Sequence, residues 1–129
     1  MLRKVPDRLV YSGSPPGQTR LSIRSIGAAG FVFEGAQRTI VVDPFISRPG
    51  LLRTGLCPLV PDEGAIARVI PQADEVLVGH AHHDHVMDAP SLCAQTGARF
   101  IGGPDACNVA RAAGLTEAQI VQTVGGDRI

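Results

Sequence analysis

A chain of 129 residues, 44% hydrophobic and 19% charged, is long enough for one modest domain that buries roughly two-thirds of its unfolded surface. That composition excludes a disordered protein. Twelve basic and twelve acidic residues cancel, and only 4% of the chain is aromatic, so charge and stacking give no support to a nucleic-acid partner.

Residues 1–19, with Pro6, Pro15, Pro16, Gly13 and Gly17, read as an irregular arm. Their basic residues have no apolar segment behind them, which speaks against a signal peptide. No apolar run approaches the ~20 residues that span a bilayer. "LSIRSI" (21–26) and "FVFE" (31–34) alternate as strands do, joined by the glycine-flanked link "GAAG". "GAQR" then predicts a hairpin turn, and "TIVVD" (39–43) a third strand buried on both faces. Residues 44–61 hold four prolines and predict a long loop.

"DEGAIARVI" (62–70) predicts a short helix with Asp62 as N-cap. "EVLV" (75–78) is a buried strand. "DAPSLCAQTG" (88–97) reads as a helix capped by Asp88, and "ARFIG" (98–102) as a strand. "PDACNVARAAG" (104–114) is a helix, and "QIVQTV" (119–124) a final strand. A meander followed by strand–helix–strand–helix–strand predicts a layered α/β domain. Cys57, Cys93 and Cys107 are odd in number and form no Cys-x-x-Cys pair, so they read as reduced structural thiols in a cytoplasmic protein.

All four histidines fall in "GHAHHDHV" (79–86), directly after the buried strand. Neutral imidazole and carboxylate are ligands for zinc, manganese, iron and nickel. Residues i and i+2 of an extended segment face one way, so His80 and His82 can grip one ion. Asp84 and His85 are adjacent, and a bend there would turn both toward a second ion. Gly79 leaves room for backbone to approach closely. Open α/β sheets gather ligands at the carboxyl ends of their strands, which is where this cluster lies.

"HAHHDH" matches the H-x-H-x-D-H signature of the metallo-β-lactamase superfamily, and "IVVDPF" (40–45) resembles its early strand ending in Asp, in the form found in the lactonase-like branch. The likeness covers residues 21 to about 127. It implies the αββα sandwich, here as one partial domain over 1–129 that supplies the N-terminal βα half. It implies His80 and His82 as ligands of a first metal, and Asp84 and His85 as ligands of a second. Asp84 would also be catalytic, holding a metal-activated hydroxide and accepting a proton. Asp43 would steady the ligands from behind, and His83 fills the variable position of the motif. The implied cofactor is Zn2+, one or two ions, with Mn, Fe or Ni as alternatives. The implied activity is hydrolysis of an ester, lactone, amide or phosphodiester bond in a small-molecule substrate.

Two departures stand against a close match. Ala28 occupies the place where the lactonase-like branch carries a histidine, and no histidine follows His85 to complete either metal. These omissions give a second expectation: an incomplete or non-catalytic metal-binding half that needs a complementing second half or a homodimer partner.

Overall fold

The alternation after Leu21 produces the expected meander. In the computed structural model residues 21–129 are described, those of the arm at 1–19 lying outside them. Strand β1 (Ser22–Gly27) pairs antiparallel with β2 (Gly30–Glu34), and β2 with β3 (Thr39–Val42). The "GAQR" turn closes on a Gly35 N–H donated to Arg38 O at 2.9 Å. From β3 onward the pairing turns parallel, through β4 (Glu75–Val78), β5 (Arg99–Gly102) and β6 (Ile120–Gln122). The sheet thus runs β1-β2-β3-β4-β5-β6 in chain order.

The long loop is interrupted by a short helix, α1 (Leu51–Leu56), between Pro49–Gly50 and Pro58. Helix α2 (Glu63–Val69) is capped as predicted, the Asp62 carboxylate accepting the Ala65 N–H at 2.9 Å. A single turn, α3 (His83–Val86), precedes α4 (Ala89–Thr96), and α5 (Pro104–Ala112) leads by a 3-10 turn at Glu117–Gln119 into β6. The final strand is shorter than "QIVQTV" suggested, because that turn takes its first residue and pairing to β5 ends at Gln122.

Cross-strand register puts Val32, Val41, Val76 and Phe100 side by side on one face. All four are fully buried against Ile66 of α2, Leu92 and Cys93 of α4, and Cys107 and Ala110 of α5. Each such large apolar side chain contributes about 1.5–3 kcal/mol of burial free energy. The other face alternates out of this core. It carries Ile23 and Phe31, 52% and 39% exposed, with Phe33, Ile40, Val42, Leu77 and Val121 half-buried and Ile101 buried. None of these belongs to the helix-covered cluster. The expected burial of β3 on both faces therefore does not hold: Val41 is buried on the side that α2, α4 and α5 cover, whereas Ile40 and Val42 on the other side are half-buried.

At the end of the sheet away from the histidines, the buried Glu75 carboxylate is neutralised by Arg38, at 2.7 Å, and by Arg99. No helix of the described residues is long and apolar enough to cross a membrane.

Burial keeps two of the three thiols protonated. The Cys93 thiol is pushed up to about 12, and Cys107 is also raised, in both cases chiefly by loss of solvation. Cys57 is exposed. Because the thiolate is the reactive form, iodoacetamide at pH 8 is expected to label Cys57 alone in the native chain and all three cysteines in denaturant. Native labelling of Cys93 as fast as Cys57, read by peptide mass spectrometry, would contradict this core.

Candidate metal centre

The motif leaves β4 extended and then coils. His82 keeps strand-like backbone (φ −70, ψ 148), and α3 begins at His83, with the N–H groups of His85 and Val86 both donated to His82 O at 3.0 Å. The expected bend is this helical turn. Extended geometry before it brings His80 Nε2 and His82 Nδ1 to 3.0 Å, with ring centroids 4.5 Å apart. Helical geometry after it sets Asp84 Oδ2 3.6 Å from His85 Nε2. The His80 and His85 rings stand 3.9 Å apart, so the two pairs are neighbours. His83 turns away and meets Phe45 edge-on at 5.9 Å.

Behind the cluster lies Asp43, nearly buried and left-handed (φ +44) just past the end of β3. Asp tolerates this conformation better than most residues. Its Oδ1 accepts the Gly79 N–H at 2.7 Å, and its Oδ2 lies 3.0 Å from His85 Nδ1. That nitrogen is buried and out of line for a hydrogen bond, so it is an orphaned polar atom held beside a carboxylate. Two glycines make room for Asp43. A Cβ at Gly79 would sit 3.2 Å from its carboxylate, and one at Gly30 would sit 2.9 Å from its carbonyl oxygen. Ala28 and Arg48 are also left-handed, at φ +50 and +38. Arg48 donates to Ile26 O and, from Nε, to Phe45 O at 3.1 Å, tying the loop after Asp43 to the β1–β2 turn. Strained backbone gathered around one strand end is a common property of functional sites.

Asp88 corrects one expectation. It occupies the N-cap position of α4 but makes no capping bond. Its fully buried carboxylate instead accepts the Ile46 N–H at 2.6 Å, the Ser47 N–H at 2.7 Å and the Ser47 hydroxyl at 2.6 Å. Nothing local in the sequence announces partners 41 and 42 residues away, so neither Ser47 nor this role of Asp88 can be read from spacing.

The donor set fits a metal in type and in pair spacing. Tetrahedral bonds of 2.0–2.1 Å place neighbouring donor atoms about 3.3 Å apart, and the two pairs stand at 3.0 and 3.6 Å. Among the described residues, however, no three such donors converge on one point.

Comparison with known proteins places the chain in a family. The sequence profile of the Beta-lactamase superfamily domain matches residues 22–127. A UPF0173 metal-dependent hydrolase of Anaeromyxobacter dehalogenans (strain 2CP-1) is 34% identical over 101 residues, covering 78% of this chain and 33% of the relative. Another, of Thermococcus kodakarensis, is 30% identical over 105 residues, covering 81% and 39%. The chain thus spans about a third of the length of these curated relatives. Among solved structures, Igni18, a metallo hydrolase from Ignicoccus hospitalis, superposes with a TM-score of 0.59 at 22% identity, over 85% of this chain and 42% of that one. A CmlA beta-hydroxylase mutant superposes at 0.51 with 20% identity, over 84% and 22%. These last two likenesses are of fold. From the strand order, the position of the motif and the match over residues 22–127, the chain belongs to the beta-lactamase superfamily.

Proposed function

We propose that this chain carries the metal-gripping half of a metal-dependent hydrolase that attacks an ester, lactone, amide or phosphodiester bond of a small-molecule substrate. The observation that carries the reading is the facing of His80 Nε2 and His82 Nδ1 at 3.0 Å, beside Asp84 and His85 with Asp43 at their back. His80 and His82 would hold a first ion, and Asp84 and His85 a second, with zinc the best match to imidazole and carboxylate. When bound, such an ion supplies a hydroxide nucleophile at neutral pH and polarises the bond under attack.

The remaining work falls to the side chains. Asp84, its side chain 44% exposed, faces outward where it can accept a proton from an arriving group. Asp43 holds its carboxylate 3.0 Å from His85 Nδ1, out of line for a hydrogen bond but near enough for its charge to favour a proton there and leave Nε2 free to ligate. His83 would hold neither ion and meets Phe45 edge-on instead.

All four histidines are already placed, and a complementing half or a partner copy would supply the further donors. The apolar sheet face bearing Ile23, Phe31 and Phe33 suits a second βα half packed against it, completing the αββα sandwich. The absence of three converging donors among the described residues supports a second reading, a metal-binding half with no turnover of its own.

Purified without a histidine tag and loaded with zinc, the chain is expected to retain metal that its His82→Ala variant does not. Equal retention, read by elemental mass spectrometry, would sink the site. Retention without hydrolysis of any of the four bond types would select the second reading.

A further inference from the structure

We infer that Asp88 is a positioning residue, which clamps the loop after Asp43 onto the histidine motif and thereby sets how Asp43 meets His85. The inference rests on the metal-site reading of the histidine motif.

Asp88 is 0% exposed, yet its three bonds all come from neutral donors in residues 46 and 47. Three donors aimed at one buried carboxylate occupy both of its oxygens, and the bonds are short, at 2.6–2.7 Å. The network runs one way. Ser47 Oγ accepts the Asp62 N–H at 2.6 Å, so its own proton is free to go to Asp88. Through Ser47 the clamp therefore also reaches the cap of α2.

The loop this clamp holds begins at Asp43 and runs to Arg48, both left-handed. Left-handed non-glycine residues persist only where their surroundings hold them. On one side Arg48 ties the loop to the β1–β2 turn, while Ile46 packs against the core. On the other side stands Asp88, three residues after His85. The contact of Asp43 with His85 and the bonds of Asp88 to Ser47 thus close a ring between two loops. Opening the second link frees the first, so the ligand-facing carboxylate depends on an acid that touches no ligand.

The test compares the chain with Asp88→Asn, which keeps the shape but removes the charge and points an amide NH2 at N–H donors. Hydrogen exchange of a peptide spanning 44–50 is expected to quicken about tenfold or more, while α5 keeps its protection. Cobalt(II) affinity is expected to fall by about 10–100-fold, with displaced ligand-field bands. Unchanged loop exchange would overturn the clamp. Faster exchange with the same cobalt affinity and spectrum would overturn the positioning role and leave Asp88 purely structural. Should the Asn variant unfold throughout, Ser47→Ala, which removes one of the three bonds, decides by the same two readouts. No cobalt uptake by the unsubstituted chain would overturn the metal reading itself. Normal uptake with an indifferent Asn variant would overturn only the positioning role of Asp88.

Discussion

Asp43→Asn is expected to leave the chain folded and yet lower its affinity for zinc or cobalt by about 10–100-fold. Asn, like Asp, tolerates the left-handed backbone at φ +44. Its amide oxygen can still accept the Gly79 N–H, now 2.7 Å from the carboxylate. What changes is the group facing His85 Nδ1, 3.0 Å from Asp43 Oδ2. A carboxylate favours a proton on Nδ1 and a bare Nε2. An amide NH2 favours the opposite tautomer, whose Nε2 carries the proton and cannot ligate. Asp43→Ala should be worse in both respects. It strands the Gly79 N–H, at about 1–3 kcal/mol, and loses the short polar side chain that lets Asp occupy the left-handed region. Thermal melting and metal titration of both variants separate these effects. An Asn variant that binds metal like the unsubstituted chain would remove Asp43 from the site.

Phe100→Ala is expected to have the largest effect on stability, about 3–5 kcal/mol. Phe100 is the largest fully buried side chain among the described residues and lies on the inner strand β5, paired in register with Val76 of β4 and Ile120 of β6. Its ring lies against the face that Gly102 opens to α5, where a Cβ at Gly102 would stand 3.3 Å from Phe100 Cε1 and 3.2 Å from Ala106 Cβ. Neighbours held by a sheet and two helices cannot collapse far into the space a phenyl ring leaves. A domain of this size is stable by about 5–15 kcal/mol, so the variant would lose a large share of its margin and melt roughly 10–25 °C lower. A loss below about 1 kcal/mol in urea titration would mean that the helices do not close over β5 as described.

The clamp at Asp88 and the support at Asp43 use one device twice. A buried carboxylate from one loop accepts N–H groups from the other, so each loop holds its neighbour. Backbone amides and one hydroxyl serve in place of arginine or lysine. A buried acid satisfied by neutral donors adds no positive charge beside the histidine cluster.

The strand and helix pattern was legible in the sequence because it depends on local periodicity. Alternation over 21–34, the β-branched run 39–42, the helix capped by Asp62 and the helix opened by Pro104 each fix their own backbone with little help. The histidine cluster was legible for the same reason: its donors are neighbours in the chain, so extended geometry at 80–82 and one helical turn from His83 suffice to pair them. Only the tertiary structure decided what lies behind that cluster. Asp88 resembles a helix cap in sequence and becomes a clamp because Ser47 arrives from 41 residues away. Asp43 meets His85 only once β3 and β4 run parallel, with Val42 opposite Leu77. The exposed sheet face was likewise hidden, since alternation marks both faces of a central strand as apolar and says nothing of which one the helices cover. Periodicity and spacing act along the chain, whereas carboxylate support and face covering depend on strand order, and strand order is set by the packing of the whole sheet.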